Sequence, residues 1–138
     1  MTPYALAGPA FLALRVDDVE RAARWYAVTL DLQEVSRLDA DDDRYHIRIL
    51  SGHGLGVELI QERGVARAPG RHLGHFKAGI FVTDLTAFHE RLTGAGVDVD
   101  PEIFVDTTLQ ARSFVFRDVE GNRIQAFERC DGTCASAP

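Results

Sequence analysis

Sulfur and tryptophan are scarce in this chain: two cysteines, one methionine and one tryptophan in 138 residues. Two thiols, Cys130 and Cys134, cannot build a disulfide framework, and without partner histidines nearby they make a poor zinc site. The expectation for "CDGTCASAP" is a reduced, frayed terminus. No apolar run reaches the roughly 20 residues that cross a bilayer. The apolar opening "MTPYALAGPAFLAL" has no basic segment ahead of it and is broken by Pro3, Gly8 and Pro9. It reads as a short lead into a strand rather than as a signal peptide. Basic residues are outnumbered, 15 against 21 acids, for a formal charge of −6, and no Lys/Arg stripe stands out. That argues against a nucleic-acid partner, which needs phosphate neutralisation. A phosphate-cradling glycine loop followed by Lys-Ser/Thr and a serine nucleophile elbow are also missing. What remains is a soluble-type composition, expected in the cytoplasm, with no membrane partner.

The chain is long enough to bury one domain's core unaided, and it is written twice. "FLALRVDDVERAARWY" lies beside "KAGIFVTDLTAFHERL": Val16 matches Val82, Asp18 matches Asp84 and Val19 matches Leu85, at a shift of 66. "HIRILSGHGLGVELIQE" lies beside "SFVFRDVEGNRIQAFE": Ile47 matches Phe114, Ile49 matches Phe116, Gly54 matches Gly121 and Glu58 matches Gln125, at a shift of 67. Internal repetition of this kind decides the fold before any single element does.

Each copy predicts the same elements. "AFLALRV" is a short apolar strand. Asp17 or Asp18 caps a helix whose apolar face carries Val19, Ala22, Ala23, Tyr26 and Leu30. "QEVSRL" is an outer strand, the run at 39–43 is a solvated acidic turn, and "YHIRIL" and "GVELIQ" pair around the glycines of "SGHGLG". The second copy repeats strand, helix (closed by Gly94 or Gly96), strand and a hairpin around "DVEGN". The predicted fold class is α+β: two tandem βαβββ modules forming a curved eight-stranded sheet around a cleft. The expected boundaries are module one 10–62, linker 63–74, module two 75–129 and tail 130–138, within a single domain 1–138.

The stretches "LRVDDVERAARWY", "GVELIQ", "IFVTDLTAFHERL" and "FRDVEGNRIQAFE" resemble the vicinal oxygen chelate superfamily of glyoxalases, bleomycin-resistance proteins and extradiol dioxygenases. The last is similar to that family's Asp-Pro-Asp-Gly-Asn turn, with Val119 in place of proline. The resemblance implies metal ligands in the first and last strand of each module. Carried onto this chain, those positions are Phe11, Glu58, Lys77 and Gln125. Phenylalanine cannot ligate, and a protonated lysine repels a divalent cation a few ångströms away. The expectation is therefore no metal cofactor. The alternative is a displaced set of Glu58, His75, Gln125 and His46 holding zinc, iron, manganese or nickel.

Strand alternation then nominates a ligand-binding cleft of Phe11, Arg15, His46, Arg48, Glu58, His75, Lys77, Phe81, Gln125 and Phe127. Lys77 and Glu58 are the candidate catalytic pair, or a structural ion pair, since a lysine in an apolar strand needs a partner. Arg15, Arg48 and Lys77 together suit an anionic or oxygen-rich ligand. The leading functional reading is a metal-independent small-molecule binder, similar to the resistance proteins of that superfamily, in a homodimer. The alternatives are a lyase, isomerase or dioxygenase, with displaced metal ligands or Lys/Glu chemistry, and an accessory domain with a vestigial cleft.

Overall fold

A computed structural model of the chain describes residues 11–64, 78–107 and 109–131. The chain divides into two compact units, the first ending at Ala68 and the second beginning at Pro69. The first contains β1 (Phe11–Arg15), α1 (Val19–Leu30), β2 (Gln33–Asp39), β3 (Tyr45–Gly52) and β4 (Leu55–Glu62). The second contains β5 (Ala78–Phe81), α2 (Leu85–Gly94), β6 (Phe104–Asp106), β7 (Ala111–Arg117) and β8 (Arg123–Arg129). The order is βαβββ twice, as the repeat predicts. Among the described residues eight strands form two four-stranded mixed sheets, ordered β1-β4-β3-β2 and β5-β8-β7-β6.

The repeat extends to individual hydrogen bonds. Asp18 and Asp84 both sit in extended backbone and cap their helices, accepting from the amides of Arg21 at 3.0 Å and Ala87 at 2.9 Å. Each satisfies one of the N–H groups that a first helical turn leaves without an intrahelical partner. Asp18 rather than Asp17 is thus the cap of α1. Helix α2 runs through Gly94 and closes at Gly96, whose φ of 76° suits a residue without a Cβ. There the Val97 amide donates to the Leu92 carbonyl and the Gly96 amide to the Thr93 carbonyl, the paired bonds of a Schellman closure.

Each helix covers one face of its own sheet. Val19, Ala22, Ala23 and Tyr26 of α1 are buried, as are Leu14, Val16, Leu50, Val57 and Leu59 of the sheet or its margin. In the second unit Leu85 and Leu92 of α2 are buried along with Phe114, Phe116, Ile124 and Ala126. Phe88 meets both core phenylalanines, at centroid separations of 6.0 Å from Phe114 and 5.7 Å from Phe116. Each large side chain taken out of water this way contributes about 1.5–3 kcal/mol.

The two hairpins differ by one residue, and this alters the register of the repeat. In the first, Gly52 pairs with Leu55 across His53 and Gly54, both at positive φ (53° and 78°). That is the two-residue turn whose twist matches paired strands. In the second, Arg117 pairs with Arg123 across five residues. The Asp118 carboxylate holds this turn, accepting from the amides of Glu120 and Asn122 and from the Asn122 side chain. Ser51 pairs with Gly56, so it corresponds to Arg117, 66 places on, while Gly56 corresponds to Arg123, 67 places on. The shift therefore changes inside the turn, and β3 corresponds to β7 at 66. The match of Ile47 and Ile49 with Phe114 and Phe116 is corrected accordingly. Arg48 and Leu50 are the structural counterparts of those two phenylalanines.

Cys130 is disulfide-bonded, which corrects the expectation of a reduced tail. The other cysteine, Cys134, lies outside the described residues. No helix among the described residues is long and apolar enough to cross a membrane.

Candidate functional site

The face of each sheet away from its own helix holds the residues with chemistry to offer. In the first unit the register sets Ala13, Glu58, Ile49 and Ser36 in one row across four strands. Phe11 stands in the row beside Gly56, and Arg15 in the row with Ile60 and Ile47. Glu58 is half-buried among these side chains, and no ion pair joins it to another described residue. Arg15 is paired with Glu62 at 3.2 Å. Phe11 is 67% exposed, a large apolar surface at the end of its strand.

The second unit repeats the central row with Gly79, Gln125 and Val115. Glu58 and Gln125 thus occupy equivalent places, as their shift of 67 implies. The Gln125 amide Nε2 donates to Ser113 Oγ at 2.9 Å, and Ser113 is buried. The next row is Phe81, Phe127, Ser113 and Phe104. The rings of Phe81 and Phe127 are tilted by 32° with centroids 5.5 Å apart. The Arg129 guanidinium lies over the Phe81 ring, 4.3 Å from its centroid.

Of the residues expected on one face, Phe11, Arg15 and Glu58 share the helix-free face of the first sheet, and Phe81, Gln125 and Phe127 that of the second. His46 and Arg48 do not share the face of Glu58. They alternate with Ile47 and Ile49, and Ile49 is the residue opposite Glu58, so both point to the helix side. Arg48, only 4% exposed, binds Glu20 of α1 through Nε at 2.9 Å and Nη2 at 2.5 Å, and Asp39 of β2 through Nη1 at 2.9 Å. His46 bridges Asp39 Oδ1 at 2.7 Å and Asp43 Oδ1 at 2.6 Å. The physical reason is the one-residue difference in the turns: a slip of one exchanges every side chain between faces. His75 and Lys77 lie outside the described residues.

The electrostatics of the helix-side cluster are set by these contacts. The hydrogen bond to Asp39 raises His46 above the ordinary imidazole value; burial opposes the shift and Asp43 reinforces it. The same bond, followed by that from Arg48, lowers Asp39. Burial works against the Arg48 cation, but its bonds to Glu20 and Asp39 prevail and the net shift is upward. This cluster ties α1 and β2 to β3, and its donors and acceptors are engaged with one another. Sequence reasoning had no means of seeing it, because Glu20, Asp39, Asp43, His46 and Arg48 have no shared motif.

Three of the four ligand positions that the resemblance implies, Phe11, Glu58 and Gln125, lie among the described residues. Glu58 supplies one carboxylate, Gln125 one amide already engaged with Ser113, and Phe11 no lone pair. Among the described residues no group of three or more His, Cys, Asp or Glu side chains could hold a metal ion. His46, required by the displaced set, is committed to Asp39 and Asp43 on the opposite face.

A family model for the Glyoxalase/Bleomycin resistance protein/Dioxygenase superfamily matches residues 8–126. No curated protein sequence matches the chain. Among solved structures, a glyoxylase/bleomycin resistance protein/dioxygenase domain from Frankia sp. EAN1pec aligns with a TM-score of 0.78 at 23% identity, covering 93% of this chain and 96% of the other. The trypanothione-dependent glyoxalase I of Leishmania major aligns at 0.69 and 20% identity, covering 86% and 84%. The fosfomycin resistance protein FosX of Listeria monocytogenes aligns at 0.67 and 15% identity, covering 92% and 97%. At these identities the likeness is one of fold.

Proposed function

The chain belongs to the Glyoxalase/Bleomycin resistance protein/Dioxygenase superfamily, and from that membership we propose that it binds a small organic molecule on the helix-free sheet faces without a metal ion. One observation carries the reading. The residue types of the two equivalent rows, Ala13–Glu58–Ile49 and Gly79–Gln125–Val115, put a single polar group among small and apolar neighbours. With Phe11 on the first sheet, and with Phe81 and Phe127 on the second, each face taken by itself has the composition of a small-molecule site, with apolar walls and few orienting polar groups. It is a weak composition for a cation, which needs several hard or borderline donors converging on one point.

In this reading Glu58 accepts a hydrogen bond from a ligand donor at the first sheet, and Gln125 Oε1 is the corresponding acceptor at the second, its Nε2 being engaged with Ser113. Fold membership does not choose among the superfamily's chemistries, so the proposal rests on the site residues.

The test is a thermal-shift screen of the purified chain against a small-molecule set, run with chelator and again with added zinc or manganese. Metal content is read in parallel by plasma mass spectrometry on wild type and Glu58→Gln. Ligands that stabilise the protein equally with chelator present support the proposal. About one metal per chain, lost in Glu58→Gln, or stabilisation that requires added metal, overturns it.

A further inference from the structure

We propose that the helix-free face of the second sheet takes a flat, unsaturated ring bearing a carboxylate, with the ring against the outer edges of Phe81 and Phe127 and the carboxylate at Arg129. This rests on the small-molecule reading above and names its ligand class. Phe81 is 60% exposed although it sits in a sheet row, and its ring is held only 32° from parallel to that of Phe127. Two rings so disposed are offset-stacked, and their outer edges can meet the face of a planar π-system.

Gly79 makes that surface possible. A Cβ there would come 3.3 Å from Phe127 Cε2, so the Phe127 ring lies over the glycine backbone, in space that a side chain at residue 79 would claim.

The charge argument selects a carboxylate. The protein is acidic overall, yet its arginines differ in availability. Arg15 is paired with Glu62, Arg48 with Glu20 and Asp39, Arg112 with Glu128, and Arg117 with Asp100. Among the described residues no carboxylate pairs with Arg129, whose guanidinium instead lies over Phe81. A guanidinium stacked on a ring keeps its in-plane N–H donors at the edge, where their fork matches a carboxylate. Asp106 stands on the same face, beyond Ala111, and its Oδ1 accepts from the Leu109 amide at 2.9 Å. It lies two strand spacings away, about 10 Å between Cα atoms, and among the described residues no ion pair joins it to Arg129, whose guanidinium lies over Phe81.

Gln125 supplies the second point of contact. It lies four residues before Arg129 on β8, about 13 Å away between Cα atoms by strand rise. Its Nε2 is committed to Ser113, and no described residue donates to its Oε1. A ring hydroxyl or amine at the end distal to the carboxylate would find that oxygen.

The experiment is an amide-resonance titration of the full chain with 2-naphthoate, 2-naphthamide and 2-naphthylmethylammonium. We expect naphthoate to shift Gly79, Phe81, Gln125, Phe127 and Arg129, and to bind about tenfold tighter than the amide, the size of one charge-assisted contact. Arg129→Met should erase that preference, so that naphthoate and the amide bind it equally. Naphthoate binding no tighter than the amide, or a preference that survives Arg129→Met, overturns the inference. If the neutral or cationic probe shifts this face and naphthoate does not, the small-molecule reading survives and this inference falls. If no probe shifts the face, the inference also falls, and the screen above decides the broader reading independently. Phe81→Leu is the second variant: it should weaken all three probes together, and equal affinities to wild type would remove the rings from the site.

Discussion

The ring of Phe127 lies against the backbone of Gly79, with Cε2 only 3.3 Å from where a Cβ would stand. The backbone of Gly79 is not in the left-handed region, so the reason for glycine here is space, not conformation. Gly79→Val adds two methyl groups beyond that Cβ and must push the ring aside. Overpacking of this kind costs about 1–3 kcal/mol. The expected outcome is a lower melting temperature together with displaced ring-proton resonances of Phe81 and Phe127. An unchanged Phe127 environment in Gly79→Val would contradict the packing argument.

Phe114 is fully buried on the helix side, against Phe88, Phe116 and His89. Phe104, in the same unit, is 54% exposed. Phe114→Ala should therefore cost about 3–5 kcal/mol in denaturant unfolding, against no more than about 0.5 kcal/mol for Phe104→Ala. Comparable losses at the two positions would mean that the faces have been exchanged.

His46 links stability to pH with a definite sign. Its folded value is raised, mainly by Asp39, so the charged form is favoured in the folded state. The stabilisation is complete below about 6.5, the ordinary imidazole value, and is lost as pH rises through the elevated folded value. Asp39 is lowered, mainly by the same bond, so its contribution is present above the usual carboxylate range and lost as pH falls through the depressed value. Between pH 6 and 8 the melting temperature of wild type should fall more than that of His46→Gln. A proton NMR titration placing His46 at or below the ordinary value would remove the basis of this expectation.

Arg48 is buried, with Glu20 reaching down from α1 to meet it. Glu20→Ala leaves that guanidinium with Asp39 at 2.9 Å and Glu34 at 3.5 Å and loses a charge-assisted bond, so about 1–3 kcal/mol of stability should disappear. The double variant Glu20→Ala/Arg48→Met, which removes the buried charge as well, should recover part of it. Equal stabilities of the single and double variants would show that the charge is already solvated.

Lys77 is the only lysine in the chain, so a lysine-directed reagent reports on it and the N-terminus alone. If it is the partner of Glu58, its labelling should be slow in wild type and at least about tenfold faster in Glu58→Gln, the equivalent of some 1.4 kcal/mol of lost protection. Equal rates in the two proteins would separate the two residues.

Much of the architecture was legible because it repeats. Asp18 and Asp84 announce two helix starts at one offset, and a cap needs only its own short side chain and the next turn's amides. Gly54 and Gly121 mark two hairpins, because positive φ favours glycine and the sequence shows where glycine is. On the second sheet, alternation was enough to group Phe81, Gln125 and Phe127. On the first it failed for His46 and Arg48, since pairing offsets were carried across a turn that is one residue shorter than its counterpart.

The amino-acid order alone thus determined the two modules, their caps and turns, and the polar residues Glu58 and Gln125 at matching places, all of them consequences of short-range chemistry and period. Tertiary structure decided which face each side chain of β3 takes, that Arg48 neutralises Glu20 and Asp39 instead of meeting a ligand, and that Arg129 stacks on Phe81. Those outcomes depend on strand register and on partners up to 48 positions apart, and a side chain's neighbours across a sheet are fixed by pairing, which no local pattern encodes.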